Sequence, residues 1–262
     1  MSSHALLAHV TSLARIAGDT AHAFSGRGIA VDVKSDGSPV TAADRAAETA
    51  AREWIREHFP DDGILGEEFG LEKPDAPRRW LLDPIDGTKS FIHGVPLWGT
   101  LVAVVEGETV LAGAIYAPST NELVAAAVGC GAWFNGARTF VANTATLSTA
   151  TLLTTDERFP GRPNRKARWE QLSSQVRIVR TWGDCYGYLL LATGRADIMV
   201  DDLMNPWDAA AVQVVIEEAG GVFTDFRGRR TSFGGDSIAT TAELDGPVRS
   251  VLCPESDAGL ND

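Results

Sequence analysis

A chain of 262 residues, of which 44% are apolar and 22% charged, has the composition of a soluble globular protein with one large domain or two packed halves. The formal net charge of −12 argues against nucleic acid or an anionic membrane as the main partner, and we find no apolar run long enough for a secretory leader or a membrane span. Three widely spaced cysteines predict neither a disulfide framework nor a CxxC metal site, so we expect a cytoplasmic protein.

The first half is predicted to contain two helices and then a meander of strands. Apolar residues recur at helical spacing over residues 3–24, and Thr41-Ala-Ala-Asp44 resembles a capping box that begins a helix ending near Phe59. The predicted strands are Val31–Lys34, Ile64–Gly66, Trp80–Leu82, Leu101–Val105, Val110–Tyr116 and Leu123–Ala127. A turn-rich stretch from Gly129 to Arg138 closes this half, and residues 34–42 are our candidate for a mobile lid.

The second half is predicted to alternate between strands and helices. The predicted strands are Leu152–Leu153, Arg177–Arg180, Ala196–Val200 and Val222–Asp225, and the predicted helices are Gly183–Thr193 and Pro206–Ala219. Gly220-Gly221 would stop the last helix. A meander followed by alternation predicts an α+β half, residues 1–138, packed on an α/β half, residues 139–262.

Carboxylates follow two predicted strands and begin a predicted helix. Asp83-Pro-Ile-Asp86-Gly-Thr88 leaves one strand as a tight turn. Glu67 follows the strand before it, and Asp208 lies in the first turn of a helix. Two unit charges about 4 Å apart repel by about 4 kcal/mol at an effective dielectric near 20, so acids that converge here would either hold protons or bind a cation. Oxygen ligands without His or Cys indicate Mg²⁺, Mn²⁺ or Ca²⁺ rather than Zn²⁺.

Simpler explanations exist for each motif. Asp-Pro and Asp-Gly both favour turns, so the stretch from Asp83 to Thr88 could be a β-turn alone, and Asp44 could serve only as a capping acid. Asp184 and Asp201 could be ordinary exposed acids. A covalent aspartyl-phosphate mechanism would use Asp-x-Asp-x-Thr, whereas the two acids of the turn are three residues apart; neither a GxSxG elbow nor a phosphate-binding P-loop motif occurs in the sequence.

The three acidic motifs, in this order and spacing, resemble those of the inositol monophosphatase superfamily of Mg²⁺-dependent, Li⁺-sensitive phosphatases. The matching stretches are Gly66–Gly70 (GEEFG), Leu81–Phe91 (LLDPIDGTKSF) and Asn205–Asp225 (NPWDAAAVQVVIEEAGGVFTD). The resemblance covers nearly the whole chain. It implies a layered αβαβα sandwich of the inositol monophosphatase/fructose-1,6-bisphosphatase type, with α+β and α/β character, and a homodimer that acts on a small-molecule phosphate ester.

The resemblance also implies two or three Mg²⁺ ions per active site, with Mn²⁺ as a substitute. One ion would be held by Glu67, Asp83 and the carbonyl of Ile85. A second would be held by Asp83, Asp86 and Asp208, and a third, weaker ion would lie near Glu67. Two metals roughly 3.5–4 Å apart can hold both the attacking and the leaving oxygen of an in-line displacement.

Catalytic and phosphate-binding roles are implied in the same way. Thr88 paired with Asp44 would accept the proton of the nucleophilic water, and Glu67 is the third catalytic residue. Asp86 and the N–H groups of Gly87 and Thr88 would contact the phosphate.

Within the superfamily the chain most resembles the histidinol-phosphate phosphatases. The segments that carry this resemblance are Thr88–Phe91, Pro96–Leu101, Thr154-Thr155 and Trp182–Tyr188. Histidinol phosphate carries a cationic amine and an imidazole, which an acid at Asp184, next to Gly183, would suit. Asp201 occupies the position at which inositol monophosphatases place a substrate-binding Glu. The alternatives are an inositol monophosphatase, a broad sugar phosphatase, or a non-catalytic metal-binding regulatory protein on the same fold.

Overall fold

The computed structural model describes residues 1–26, 30–33 and 39–253. The helices are α1 (Ser3–His22), α2 (Ala42–His58), α3 (Thr88–Ile92), α4 (Lys166–Ser173), α5 (Asp184–Ala192), α6 (Pro206–Glu218) and α7 (Asp245–Leu252). The strands are β1 (Val31–Val33), β2 (Pro39–Thr41), β3 (Gly63–Gly66), β4 (Gly70–Glu72), β5 (Arg78–Asp86), β6 (Gly99–Glu106), β7 (Thr109–Ala117), β8 (Glu122–Ala127), β9 (Gly131–Phe134), β10 (Ala137–Arg138), β11 (Thr151–Leu153), β12 (Ile178–Arg180), β13 (Ile198–Asp201), β14 (Gly221–Thr224) and β15 (Ser237–Thr241).

The strands form two large sheets and one short hairpin of β1 and β2. The first sheet has eight strands in the order β10-β9-β8-β7-β6-β5-β3-β4, and its pairs are antiparallel except for β3 and β5. The second has five strands in the order β12-β11-β13-β15-β14, with parallel pairs on the β12 side and antiparallel pairs on the β14 side. The parallel pairing of β3 with β5 brings the ends of both strands to the same edge of the sheet.

Alternating side chains of the eight-stranded sheet face two different helical layers. On β6, Val102 and Val104 pack in one cluster with α1 and α2, whereas Leu101, Ala103 and Val105 pack in another with α5 and α6. Because both faces are covered, the strand has an apolar residue at nearly every position instead of an alternating pattern.

The second sheet completes the layers. Its Leu153 and Met199 belong to the α5–α6 cluster, whereas Leu152 and Ile198 pack with α4 and α7 on the other side. The order helix, sheet, helix, sheet, helix confirms the predicted αβαβα sandwich. The predicted boundary at residue 138 separates the two sheets in the sequence. One apolar cluster contains residues of both sheets, and the division of the chain into two domains stays a prediction.

The two helices that carry site residues begin at reciprocal caps. At α2 the Thr41 hydroxyl accepts from the Ala43 N–H at 3.1 Å, and Asp44 accepts from the Thr41 N–H at 2.8 Å. At α6, Asp208 accepts from the Asn205 N–H at 2.7 Å, and Pro206 occupies the first turn, where no N–H partner is needed. Each cap fixes an acid in the first helical turn.

Several sequence predictions differ from the structure. The first helix ends at His22 and not at residue 24, and the stretch from Gly129 to Arg138 contains β9 and β10 besides turns. Helices α4 and α7 and strands β2, β4 and β15 were not predicted from the sequence. In α4 only Trp169 and Leu172 are buried, which is too short an apolar pattern to identify a helix. Of the proposed lid, residues 34–38 lie outside the described residues.

Candidate active site

Asp83 and Asp86 lie at the end of β5, where the strand leaves its regular pairing. The register with β6 shifts between these two residues, and the Ile85 N–H donates to the Asp83 carboxylate at 3.0 Å. Pro84, which has no N–H to pair, lies within this irregular stretch. The shift allows two carboxylates three residues apart to approach the same point.

Asp208 reaches that point from the first turn of α6. One carboxylate oxygen from each of Asp83, Asp86 and Asp208 lies within 4.8 Å of the other two. Glu67 follows β3, and its N–H donates to the Leu82 carbonyl of β5 at 3.1 Å. The side chains of Glu67 and Asp208 both lie within hydrogen-bonding reach of Asp83. The four predicted acidic ligands are therefore brought together from two strands and a helix.

Burial and mutual repulsion perturb the acidic cluster. Burial raises the pKa of Asp83 well above its usual value, and the charges of Glu67, Asp86 and Asp208 raise it further. Burial also raises the pKa of Asp208 to about 7, although its hydrogen bond from the Asn205 backbone acts in the opposite direction. Carboxylates in such a cluster need protons or a cation to neutralise them.

Asp86 is also perturbed by burial and by neighbouring charges, and one backbone N–H partly compensates for this. Burial raises the pKa of Asp86 well above its usual value, and the charges of Asp184 and Asp208 raise it further. The Cys185 N–H, which donates to the Asp86 carboxylate at 2.5 Å, lowers this pKa. A single backbone donor does not balance several acids. The donor set consists of hard carboxylate oxygens, and it fits Mg²⁺, Mn²⁺ or Ca²⁺.

Gly87 and Thr88 form the beginning of α3, next to the acids. Gly87 has φ +87°, and a Cβ there would lie 3.0 Å from an Asp184 carboxylate oxygen and 3.1 Å from the Leu97 carbonyl. Glycine is therefore required both by the left-handed backbone and by the close approach of two other segments. This turn directly follows Asp86 and therefore lies beside the acidic cluster.

The two residues expected to activate water have other partners. The Thr88 hydroxyl donates to the Ile85 carbonyl at 3.0 Å, and the Asp44 carboxylate accepts from the Thr41 hydroxyl at 2.7 Å. Burial raises the pKa of Asp44, and the nearby Glu67 charge adds to this, so Asp44 lies beside the cluster. The pairing of Thr88 with Asp44 and the role of the Ile85 carbonyl as a metal ligand stay predictions.

Two adjoining cavities, of about 330 and 170 Å³, open beside the acids and share Lys89, Thr155, Asp156 and Asp184 in their walls. The larger one includes Glu67, Gly87, Thr88 and Gly183. The smaller one includes Asp86, Asp201 and Asp208. The two cavities therefore offer a small ester a path from the turn at Gly87 and Thr88 towards a wall rich in carboxylates.

Asp184 occupies a strained position on that wall. Its φ is +49°, which is unusual for a residue other than glycine, and its N–H donates to the Thr155 hydroxyl at 2.8 Å. Burial, together with the charge of Asp201, raises the pKa of Asp184 to about 7, whereas Lys89 lowers it. Strain of this kind is concentrated at functional sites, so the outlier supports a role for Asp184.

Asp201 also lines the smaller cavity, but its oxygens already have protein partners. One accepts from the Thr155 N–H and the other from the Tyr188 hydroxyl, both at 2.9 Å. Its role in substrate binding stays a prediction. Asp156, which lines both cavities, was not among the predicted site residues; its position three residues after the predicted strand Leu152–Leu153 was the available signal.

A model described as the inositol monophosphatase family matches residues 3–260. The chain belongs to the inositol monophosphatase family. A histidinol-phosphatase of Chlorobaculum parvum is 45% identical over 218 residues, covering 83% of this chain and 84% of that protein. A histidinol-phosphatase of Mycobacterium tuberculosis is 38% identical over 234 residues, with 87% and 90% covered. The structure of an inositol monophosphatase from Zymomonas mobilis has a TM-score of 0.86 at 33% identity, covering 96% of this chain and 99% of that one.

These similarities confirm the predicted fold and the predicted class of enzyme. The chain is a phosphoric monoester hydrolase of the inositol monophosphatase family. The family generally uses divalent metal ions, and the cluster of Asp83, Asp86 and Asp208 is of the kind that binds them. Among the described helices, none has the length and apolar character that crossing a bilayer would require.

Proposed function

We propose that this phosphatase hydrolyses L-histidinol phosphate to L-histidinol and phosphate, with Mg²⁺ as its cofactor. The observation that carries the proposal is the position of Asp184. Its carboxylate lies against the phosphate-binding turn, so it can meet a cationic amine on the organic part of the ester. Two relatives named histidinol-phosphatase, at 45% and 38% identity, support the same substrate.

The metal ligands in this proposal are Glu67, Asp83, the Ile85 carbonyl, Asp86 and Asp208, for two ions, with a third near Glu67. Bound divalent ions would supply Lewis-acid stabilisation of the phosphoryl oxygens and a nucleophilic water of lowered pKa. Monoester hydrolysis is among the slowest uncatalysed reactions, and enzymes accelerate it by up to about 10²¹. The residues that would hold the metal ions are therefore expected to be essential for the rate.

The remaining residues would orient the ester and move one proton. Gly87 and Thr88 line the larger cavity, and their N–H groups, at the start of α3, would bind the phosphate. Thr88 and Asp44 would take the proton of the attacking water, which requires the Thr88 hydroxyl to leave the Ile85 carbonyl. The reaction then needs no covalent enzyme intermediate.

A second candidate is an inositol or sugar monophosphate. The similarity to the Zymomonas mobilis inositol monophosphatase favours it, since 96% of this chain is covered at 33% identity. The organic part of such an ester carries no positive charge to pair with the acidic wall around Asp156 and Asp184, so we place this substrate second. Li⁺ inhibition, activity with Mn²⁺, a homodimer and a cytoplasmic location stay predictions.

The test is a substrate panel with the purified enzyme, measured as released phosphate with Mg²⁺ and with EDTA. We expect histidinol phosphate to have the highest kcat/KM, ahead of inositol 1-phosphate, fructose 1,6-bisphosphate and a 3′,5′-bisphosphorylated adenosine. Turnover of inositol 1-phosphate far above that of histidinol phosphate would refute the proposed substrate. Undiminished hydrolysis in EDTA would refute the proposed cofactor.

A further inference from the structure

The carboxylate of Glu48 lies buried beneath the loop that carries Glu67. Glu48 is on α2, one turn after Asp44, and its exposed fraction is 0%. An ionised carboxylate in such a place costs several kcal/mol unless it is paired and hydrogen-bonded. Its partners therefore identify the part of the structure that depends on it.

Those partners are two consecutive backbone N–H groups and one guanidinium. The Glu68 N–H donates to Glu48 Oε2 at 2.8 Å, and the Phe69 N–H donates to Oε1 at 3.2 Å. Arg52 Nε, one helical turn further on, donates to Oε1 at 2.8 Å. Hydrogen bonds to an ionised acceptor are about twice as strong as neutral ones, so Glu48 holds the main chain just after Glu67.

Gly66 provides the space for this contact on the other side of Glu67. A Cβ at Gly66 would collide with the Glu48 carboxylate, whose atoms are its nearest neighbours. The N–H of Glu67 itself donates to the Leu82 carbonyl at 3.1 Å. The backbone of Glu67 is thus fixed between β5 and the Glu48 carboxylate.

We propose that Glu48 is a positioning residue, which holds the Glu67 side chain at the acidic cluster before any cation binds. This inference rests on the proposed function, because it assumes that Glu67 is a metal ligand. Without Glu48, the loop would have to order itself at the moment of binding, and affinity for the metal would fall. Loss of an outer partner of a metal ligand typically lowers affinity about 10- to 100-fold.

The experiment measures Mg²⁺ binding directly, by calorimetry without substrate, for wild type, Glu48→Gln and Gly66→Ala. The glutamine keeps the size of Glu48 but removes its charge, and the alanine displaces the carboxylate from the opposite side. We expect both variants to bind Mg²⁺ about 10- to 100-fold more weakly, with kcat recovering at high Mg²⁺ while KM for the ester changes little. In contrast, loss of the ligand itself in Glu67→Gln should lower kcat even at saturating Mg²⁺.

The matched control is Asp197→Asn in the other sheet. Asp197 is also a buried carboxylate that accepts from a backbone N–H, that of Thr151 at 2.7 Å. It should lower the melting temperature and leave Mg²⁺ affinity unchanged. Wild-type affinity in folded Gly66→Ala or Glu48→Gln protein would overturn the positioning role. A wild-type protein that binds no Mg²⁺ would overturn the proposed function itself, a different outcome.

Discussion

Replacement of Asp184 by asparagine separates charge recognition from the chemical step. Asparagine has the same shape and tolerates the left-handed backbone found at this position, where φ is +49°, so the variant should keep the local fold. It removes the negative charge of the carboxylate that we propose as the partner of the cationic amine of histidinol phosphate. The ligands of the acidic cluster stay in place, and loss of the Asp184 charge removes one of the causes that raise the pKa of Asp86.

The expected magnitude follows from the kind of contact that is lost. A hydrogen bond between charged groups contributes about 1.5–3 kcal/mol, which corresponds to about 10- to 150-fold in kcat/KM for histidinol phosphate. We expect most of the change in KM. For an ester whose organic part is uncharged, such as inositol 1-phosphate, kcat/KM should change less than about threefold, because that substrate has no cation to pair with the lost carboxylate charge.

Steady-state kinetics on both esters, in saturating Mg²⁺, provide the measurement. Asp156→Asn is the comparison on the same wall: the Arg158 side chain already pairs with Asp156 at 2.5–3.1 Å, so a smaller effect is expected. Equal losses on histidinol phosphate and on inositol 1-phosphate for Asp184→Asn would show that this side chain does not recognise the cationic amine.

Three further results are expected. Asp83→Asn should abolish turnover and weaken Mg²⁺ binding seen by calorimetry, since this carboxylate is shared by both proposed ions; near-normal turnover would contradict the shared ligand. Gly87→Ala should destabilise the fold by about 1–3 kcal/mol in a denaturant titration and reduce activity, because φ is +87° and Asp184 lies 3.0 Å from the added Cβ; a fully stable, active variant would argue against this strain. In metal-free protein, burial raises the pKa of Asp208 from 3.8 to about 7 in the folded state, so this contribution to stability is present below pH 4 and lost as pH rises towards 7. The melting temperature in EDTA should therefore fall over that range, and added Mg²⁺ should reverse the fall; identical curves with and without Mg²⁺ would exclude a bound cation.

The sequence predicted best where local signals and tertiary contacts agree. The capping box at Thr41 begins α2 and the helix predicted from Pro206 is α6, as expected, and the acids at strand ends do converge. Short elements with few buried residues, such as α4 and α7, depend on contacts with the second sheet that no local pattern reveals.

The partners of individual side chains were harder to predict. Asp44, Glu48 and Arg52 follow one another at intervals of four residues, a pattern that is typical of the charged face of an exposed helix. Only the fold shows that this face is covered by the Glu67 loop. The resemblance pairs Thr88 with Asp44, and that pairing stays a prediction: in the structure the Thr88 hydroxyl donates to the Ile85 carbonyl and Asp44 accepts from the Thr41 hydroxyl.

The two sheets contribute to the site unequally. Glu67, Asp83 and Asp86 come from the eight-stranded sheet and its connections, whereas Asp156 and Asp184 follow β11 and β12 of the five-stranded one. Substitutions in the loops that follow β11 and β12 could thus alter the preferred ester while the proposed ion ligands, on the larger sheet and on α6, stay unchanged. Such an arrangement would let proteins of this family change the ester that they prefer while they keep the same reaction chemistry.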